Sequence, residues 1–212
     1  MSRRGVLGLA LAGGVAACSS PEPAYYTLAA VPGVARPGGP AQVELHRVGL
    51  AGYLDRSEIV RASSAYSLRL NGSERWGEPF GDLVARILAE DLNVRLPGSS
   101  VFTSAGSITA EADATIEMDV QRFDADAAGQ AVLLAQVAVS RGQARASAVT
   151  RVFRLAVQPA TPKTTDLVAA MSAALGQLAD GIATMLRAAE PAAHSSSTRS
   201  SPTKEKRRKS TK

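Results

Sequence analysis

The segment Ala114-Thr-Ile-Glu-Met-Asp-Val-Gln121 puts Ile116, Met118 and Val120 at every second position, with Glu117, Asp119 and Gln121 between them. Only an extended chain sends successive side chains to opposite faces, so this period of two reads as a strand with one buried face. The period returns at Leu133, Ala135, Val137 and Val139, and a third run, Ala148 to Val157, follows Arg141-Gly142. The three segments are expected to form an antiparallel meander. Such a block has one wide apolar face, and the rest of the chain must cover it.

Two segments answer that need with a different period. Between Glu78 and Leu96, the residues Phe80, Leu83, Val84, Ile87, Leu88 and Leu92 fall at helical spacing, while Asp82, Arg86, Glu90 and Asp91 lie elsewhere. Pro79 suits a first helical turn and Pro97-Gly98 ends the segment. Between Thr165 and Ala188 the stripe is Leu167, Val168, Met171, Leu175, Leu178, Ile182 and Met185, with a threonine before Asp166 as N-cap. Shorter strand candidates lie upstream at Tyr25-Tyr-Thr-Leu-Ala29 and at Val43 and Leu45, separated by the Pro/Gly linker 32–40. Tyr66-Ser-Leu-Arg-Leu70 alternates and then meets Asn71-Gly72, a pair suited to a two-residue hairpin turn. The expected fold class is α+β: a mostly antiparallel or mixed β-sheet with two long amphipathic α-helices packed on it, a single domain over 41–190.

The ends differ from this body. The chain begins MSRRGVLGLALAGGVAACSS. Arg3 and Arg4 precede a short apolar run, far below the roughly 20 residues of a bilayer span, and small residues then lead into Cys18. That is the order of parts in a secretory signal peptide, here residues 1–17. Val15-Ala16-Ala17-Cys18 resembles a bacterial lipobox, in which the cysteine thiol takes a diacylglycerol and the new N-terminus an acyl chain. A plain signal peptide, or a buried helix with a chance cysteine, is the competing reading. Cys18 is the only cysteine, so no intramolecular disulfide can form. Ser19 and Ser20, with no aspartate after the cysteine, resemble the sorting signal for the outer membrane.

Residues 191–212 read as a disordered basic tail without core-forming side chains. Of the 24 Lys/Arg, seven lie in 194–212 and two at Arg3 and Arg4, leaving 15 against 18 Asp/Glu in 19–193. The pI near 9.7 thus belongs to the two ends, and the mildly acidic body is not expected to bind nucleic acid.

Catalytic groups are scarce. His194 lies in the tail, and His46 stands on a strand face with no cysteine and no evident carboxylate pattern around it. No G-x-S-x-G, phosphate-binding loop or G-x-G-x-x-G occurs. Glu117, Asp119, Asp124 and Asp126 invite comparison with a calcium site, but the first pair are the polar face of a strand and the second pair resemble turn residues. No catalytic residue, metal or cofactor is expected, apart from the lipid on Cys18. Leu50-Ala-Gly-Tyr-Leu-Asp-Arg-Ser-Glu-Ile-Val60 places Tyr53 and Leu54 beside Asp55 and Arg56. It is read as a turn presenting these four residues to a partner, with a purely structural turn as the alternative. Trp76 is read as a core or helix-entry residue.

The ordered set of a lipobox, Tyr25-Tyr-Thr-Leu28, Tyr53-Leu-Asp-Arg56 followed by Ile59-Val60, and Trp76-Gly-Glu-Pro79 resembles the PqiC/YmbA family of ABC-type transport auxiliary lipoproteins. Ala51-Gly52 stands where that family usually carries a proline-containing turn. The resemblance implies a periplasm-facing outer-membrane lipoprotein. Its partners would be an Mce-domain protein and an inner-membrane subunit, in a lipid transport system that maintains the envelope. It implies docking rather than catalysis, and homo-oligomers are compatible with it. The alternatives are a stand-alone lipid carrier and an envelope protein that grips cell wall through its tail.

Overall fold

The computed structural model describes residues 22–108, 110–142 and 148–188. The expected signal peptide, Cys18 and the expected basic tail lie outside the described residues. Among those described, the alternating segments form β7 (Ala114–Ala125), β8 (Ala131–Arg141) and β9 (Val149–Val157). These pair antiparallel in sequence order, as the period of two anticipates. Leu133, Ala135, Val137 and Val139 are fully buried on the inward face of β8. In β7 the alternation slips: the register against β8 shifts between Val120 and Arg122. Ile116, Met118 and Val120 face the core before this bulge, and Phe123 and Ala125 face it afterwards. Arg122 and Asp124 are thereby turned to the other face.

The free edge of β7 is filled by three short strands in series, all parallel to it: β2 (Gln42–Leu45), β3 (Gly49–Leu50) and β4 (Glu58–Ser64). Beside β2 lies β6 (Ser100–Thr103), beside β4 lies β5 (Ser67–Trp76), and beside β5 lies β1 (Ala24–Tyr26). The result is a nine-stranded mixed sheet. The expected turn at Asn71-Gly72 is not there. β4 and β5 join through Ala65-Tyr66, with Ser64 paired to Ser67. Asn71-Gly72 falls inside β5, where the register jumps, and Asn71 Oδ1 accepts the Ser73 backbone N–H at 3.2 Å and its hydroxyl at 2.8 Å. An Asx-type bond satisfies asparagine in a bulge as well as in a turn.

Two helices cover the inward face: α1 (Phe80–Arg95) and α2 (Thr164–Ala188). Pro79 occupies the N-cap of α1, and Gly98 follows its end at φ +91°. Trp76 stacks on Phe80 at 4.7 Å between ring centroids, and Phe80 meets Phe123 at 5.5 Å, tying helix entry to the sheet. α2 is long and apolar enough to cross a membrane by composition. Its stripe is instead the floor of the core, with Ala174, Leu175, Leu178, Ala179 and Ile182 fully buried.

Residues 29–37, which take in much of the linker expected over 32–40, are docked along the helices. Ala29 N–H donates to Ser172 Oγ at 3.1 Å and Val31 N–H to Asp91 Oδ1 at 2.9 Å. Arg36 N–H donates to Arg95 C=O at 2.7 Å, and Arg187 Nε to Pro37 C=O at 3.1 Å. Arg95, 1% exposed, is the pin. Its guanidinium donates to Asp180 Oδ1 (2.8 Å), Val31 C=O (3.2 Å), Asp91 C=O and Asp91 Oδ1 (both 3.1 Å). A Cβ on Gly33 would lie 2.4 Å from Arg95 Cζ, so only glycine lets this strap close over the cation.

Candidate functional site

The loop 51–57 is strapped at both ends before its side chains are placed. Ala51 N–H donates to Val120 C=O (2.9 Å), Leu54 N–H to Ala51 C=O (2.8 Å), and Trp76 N–H to Ser57 C=O (2.7 Å). The last bond ties WGEP to the residue that follows YLDR, two motifs with nineteen residues of sequence between them. A cleft of about 290 Å³ separates them, lined by Arg47, Leu50, Asp55, Pro79 and Asp82 among others. Glu78 lies alongside, bound to Arg86 at 2.6 Å.

The four candidate contact residues have different fates. Leu54 is 2% exposed and belongs to the core, so it is not presented to a partner. The reason is geometric: Leu54 follows a tight turn from Ala51, which points its side chain inward beneath the loop. Tyr53 is half-buried, and its hydroxyl donates to Asp124 Oδ2 at 2.7 Å. Burial first, then the hydrogen bond and charge of Asp124, push the Tyr53 phenol well above its ordinary value. Asp55 is exposed and, among the described residues, makes no ion pair. Arg56 is partly buried and donates through Nε to Tyr53 C=O at 2.7 Å, not to Asp55. The surface offered here is therefore the edge of Tyr53, the Asp55 carboxylate and the Arg56 guanidinium.

Sequence reasoning misassigned one residue beneath this surface. Asp124 is not a turn residue: it is 2% exposed and also accepts from Arg122 Nε at 2.8 Å. A buried carboxylate needs such partners to remain in place. The signal lay in Arg122-Phe-Asp124, an ionic pair two apart on one strand face, but the bulge that aims it at Tyr53 is invisible in sequence. His46 is also less isolated than its sequence context suggests, with Glu44 at 3.7 Å and Glu117 at 3.5 Å. Among the described residues no group of three or more His, Cys, Asp or Glu is arranged to hold a metal ion.

The family model for the ABC-type transport auxiliary lipoprotein component matches residues 26–183. A search of curated protein sequences finds no match. Among solved structures, an uncharacterized protein superposes with a TM-score of 0.66 at 18% identity, over 78% of this chain and 99% of that one. A Xanthomonas campestris protein of the DUF330 family gives 0.62 at 19% identity, over 76% of this chain and 93% of that one. At such identities the likeness is one of fold.

Proposed function

The chain belongs to the family of ABC-type transport auxiliary lipoproteins, and from that premise we propose that it is the envelope-anchored docking subunit of a lipid transport system of the Mce type. Cys18, acylated, holds it to the outer membrane with the body in the periplasm. The body binds an Mce-domain protein that continues to an inner-membrane component. The role requires no catalytic step and no cofactor.

The observation that carries this reading is how the apolar surface is used. Both helix stripes are consumed by one core, with Leu83, Val84, Leu88 and Leu92 of α1 fully buried alongside the α2 residues named above. A carrier that shuttles a lipid needs an apolar lining left over after folding. The surface grooves here are open and mixed in polarity: the cleft below Asp55 is walled by Arg47, Asp55 and Asp82. A partner would be met through the exposed groups of the 53–56 loop. Rim charges of this kind set specificity and association rate more than affinity.

The test is co-purification. The full chain, extracted from envelopes after mild cross-linking, is expected to bring down an Mce-domain protein. Arg56→Glu should weaken that capture in a chain that still folds, at a cost of about 1 kcal/mol for the lost Arg56–Tyr53 hydrogen bond. Capture equal to wild type in the folded variant removes the loop from the interface. One lipid per chain in native mass spectra, without any protein partner, replaces docking by carriage.

A further inference from the structure

The β4–β5 hairpin stands away from the body. β4 meets β7 at a single pair, Arg61 with Ala125, and β1 accompanies β5 only from Glu74 to Trp76. Most of the arm between Ser63 and Gly72 is exposed on both sides. Its two faces differ. Ala62 pairs with Leu68 and Val60 with Leu70, which sets Leu68 and Leu70 on one face. Both are nearly half-exposed, at 49% and 43%, and Tyr66 at the turn is fully exposed. Ala62, Tyr66 and Leu68 together line a groove of about 760 Å³ with Tyr53 and Arg122. The other face carries Arg61 directly opposite Arg69, and both line a second groove with Lys163. Glu74 and Thr164 occupy Arg61. Among the described residues neither Arg69 nor Lys163 has an ion-pair partner.

The position of the arm says what covers it. β1 runs parallel to β5, with Ala24 beside Glu74, so the chain before Ala24 leaves toward the Ser67 end of β5. Cys18 precedes Ala24 by six residues, about 20 Å at full extension, and the seven residues from Glu74 back to Ser67 span a similar length. The chain that leads back to Cys18 therefore leaves Ala24 toward the end of the body that carries the hairpin turn. The body's far end lies beyond α2, a helix of 25 residues and about 37 Å.

We propose that the β4–β5 arm is a second membrane contact: Tyr66, Leu68 and Leu70 enter the interface of the bilayer that holds the Cys18 lipid, while Arg69 and Lys163 meet anionic headgroup phosphates. This rests on the acylation of Cys18 given above. A tyrosine tip, an aliphatic face and unpaired cations behind it match the three layers of an interface, which are acyl boundary, headgroup and phosphate. Anchoring by lipid alone leaves the body free to swivel. A second contact close to the first fixes which surface faces the periplasm.

The experiment uses the full chain, processed from its leader, with a thiol-reactive environment-sensitive dye on Tyr66→Cys, Leu68→Cys or Val94→Cys. Cys18 is consumed as a thioether, so each variant carries one free thiol. Val94 is exposed on the last turn of α1, which leads to the sheet end opposite the arm. The variants are reconstituted into phosphatidylethanolamine/phosphatidylglycerol vesicles containing doxyl-labelled lipid. Quenching several-fold stronger at positions 66 and 68 than at 94 is expected, reduced by Arg69→Glu. Equal quenching at 66 and 94 in a chain whose mass shows acyl groups overturns the arm's contact and leaves the lipoprotein reading standing. A mass without acyl groups on Cys18 overturns both. Dye shielding at position 66 that grows with protein concentration and ignores the quencher identifies a second copy as the occupant, and also overturns the proposal.

Discussion

Arg95→Met tests whether the strap that joins the N-terminal segment to the body is held by a buried charge. Arg95 is 1% exposed and Asp91 0%, and among the described residues Asp91 Oδ2 has no hydrogen-bond partner even with Arg95 in place. Methionine keeps much of the aliphatic stem but deletes the cation. Asp91 is then left in the core with only the Val31 N–H on Oδ1. Removing one member of a buried ion pair costs about 3–5 kcal/mol, because the orphaned charge remains desolvated. For a body of this size that corresponds to a fall in Tm of roughly 6–20 °C. Burial already pushes the Asp91 carboxyl above its ordinary value, against the opposing pull of the Val31 N–H and Arg95. A carboxyl raised in the folded state contributes stability below its unfolded value and loses it as pH rises through the folded one. Without Arg95 the carboxyl is pushed further up, so the defect should shrink as pH is lowered and the carboxyl takes up its proton. Urea unfolding followed by Trp76 fluorescence reads both quantities. Asp91→Leu combined with Arg95→Met should be less destabilised than Arg95→Met alone, since no charge is stranded. A loss under about 1 kcal/mol for Arg95→Met, or one independent of pH, would refute the reasoning.

Tyr53→Phe leaves Asp124 with Arg122 alone and is expected to cost about 1–3 kcal/mol in urea titration. Because the phenol is raised, its contribution is present at neutral pH and is lost as pH climbs beyond about 10, so the variant's stability should vary less in alkali than wild type. Gly176→Ala would set a Cβ 2.2 Å from Val31 Cγ2, costing about 1–3 kcal/mol by overpacking. It should also let proteases cut the 29–37 segment earlier than in wild type. Asn71→Ala with Gly72→Ala should change stability by less than about 1 kcal/mol, because the hairpin turns at Ala65-Tyr66. A large loss on thermal melting would return the turn to Asn71-Gly72.

What the sequence by itself determined was periodic. Ile116 to Val120 and Leu133 to Val139 declare strands because extended backbone alternates sides. Phe80 to Leu92 and Leu167 to Met185 declare helices because 3.6 residues make a turn. Local geometry alone specifies such patterns, and the α+β class, the meander and both helix spans follow from them. The WGEP segment likewise lies at the entry to α1, with Trp76 in the core. Tertiary structure decided whatever depends on partners distant in sequence. The bulge at Gln121 reversed which side chains of β7 face inward, delivering Asp124 to Tyr53. Buried Arg95 turned a glycine-rich linker into a docked strap. Leu54, adjacent to charges, went into the core because its loop folds over β7. The hairpin turn moved to Ala65-Tyr66 because β4 and β5 pair in that register, whatever Asn71-Gly72 would favour locally. That the chain before Ala24 leaves toward the Tyr66 tip comes from the parallel pairing of β1 with β5, fifty residues apart, and no local pattern encodes a pairing at that range.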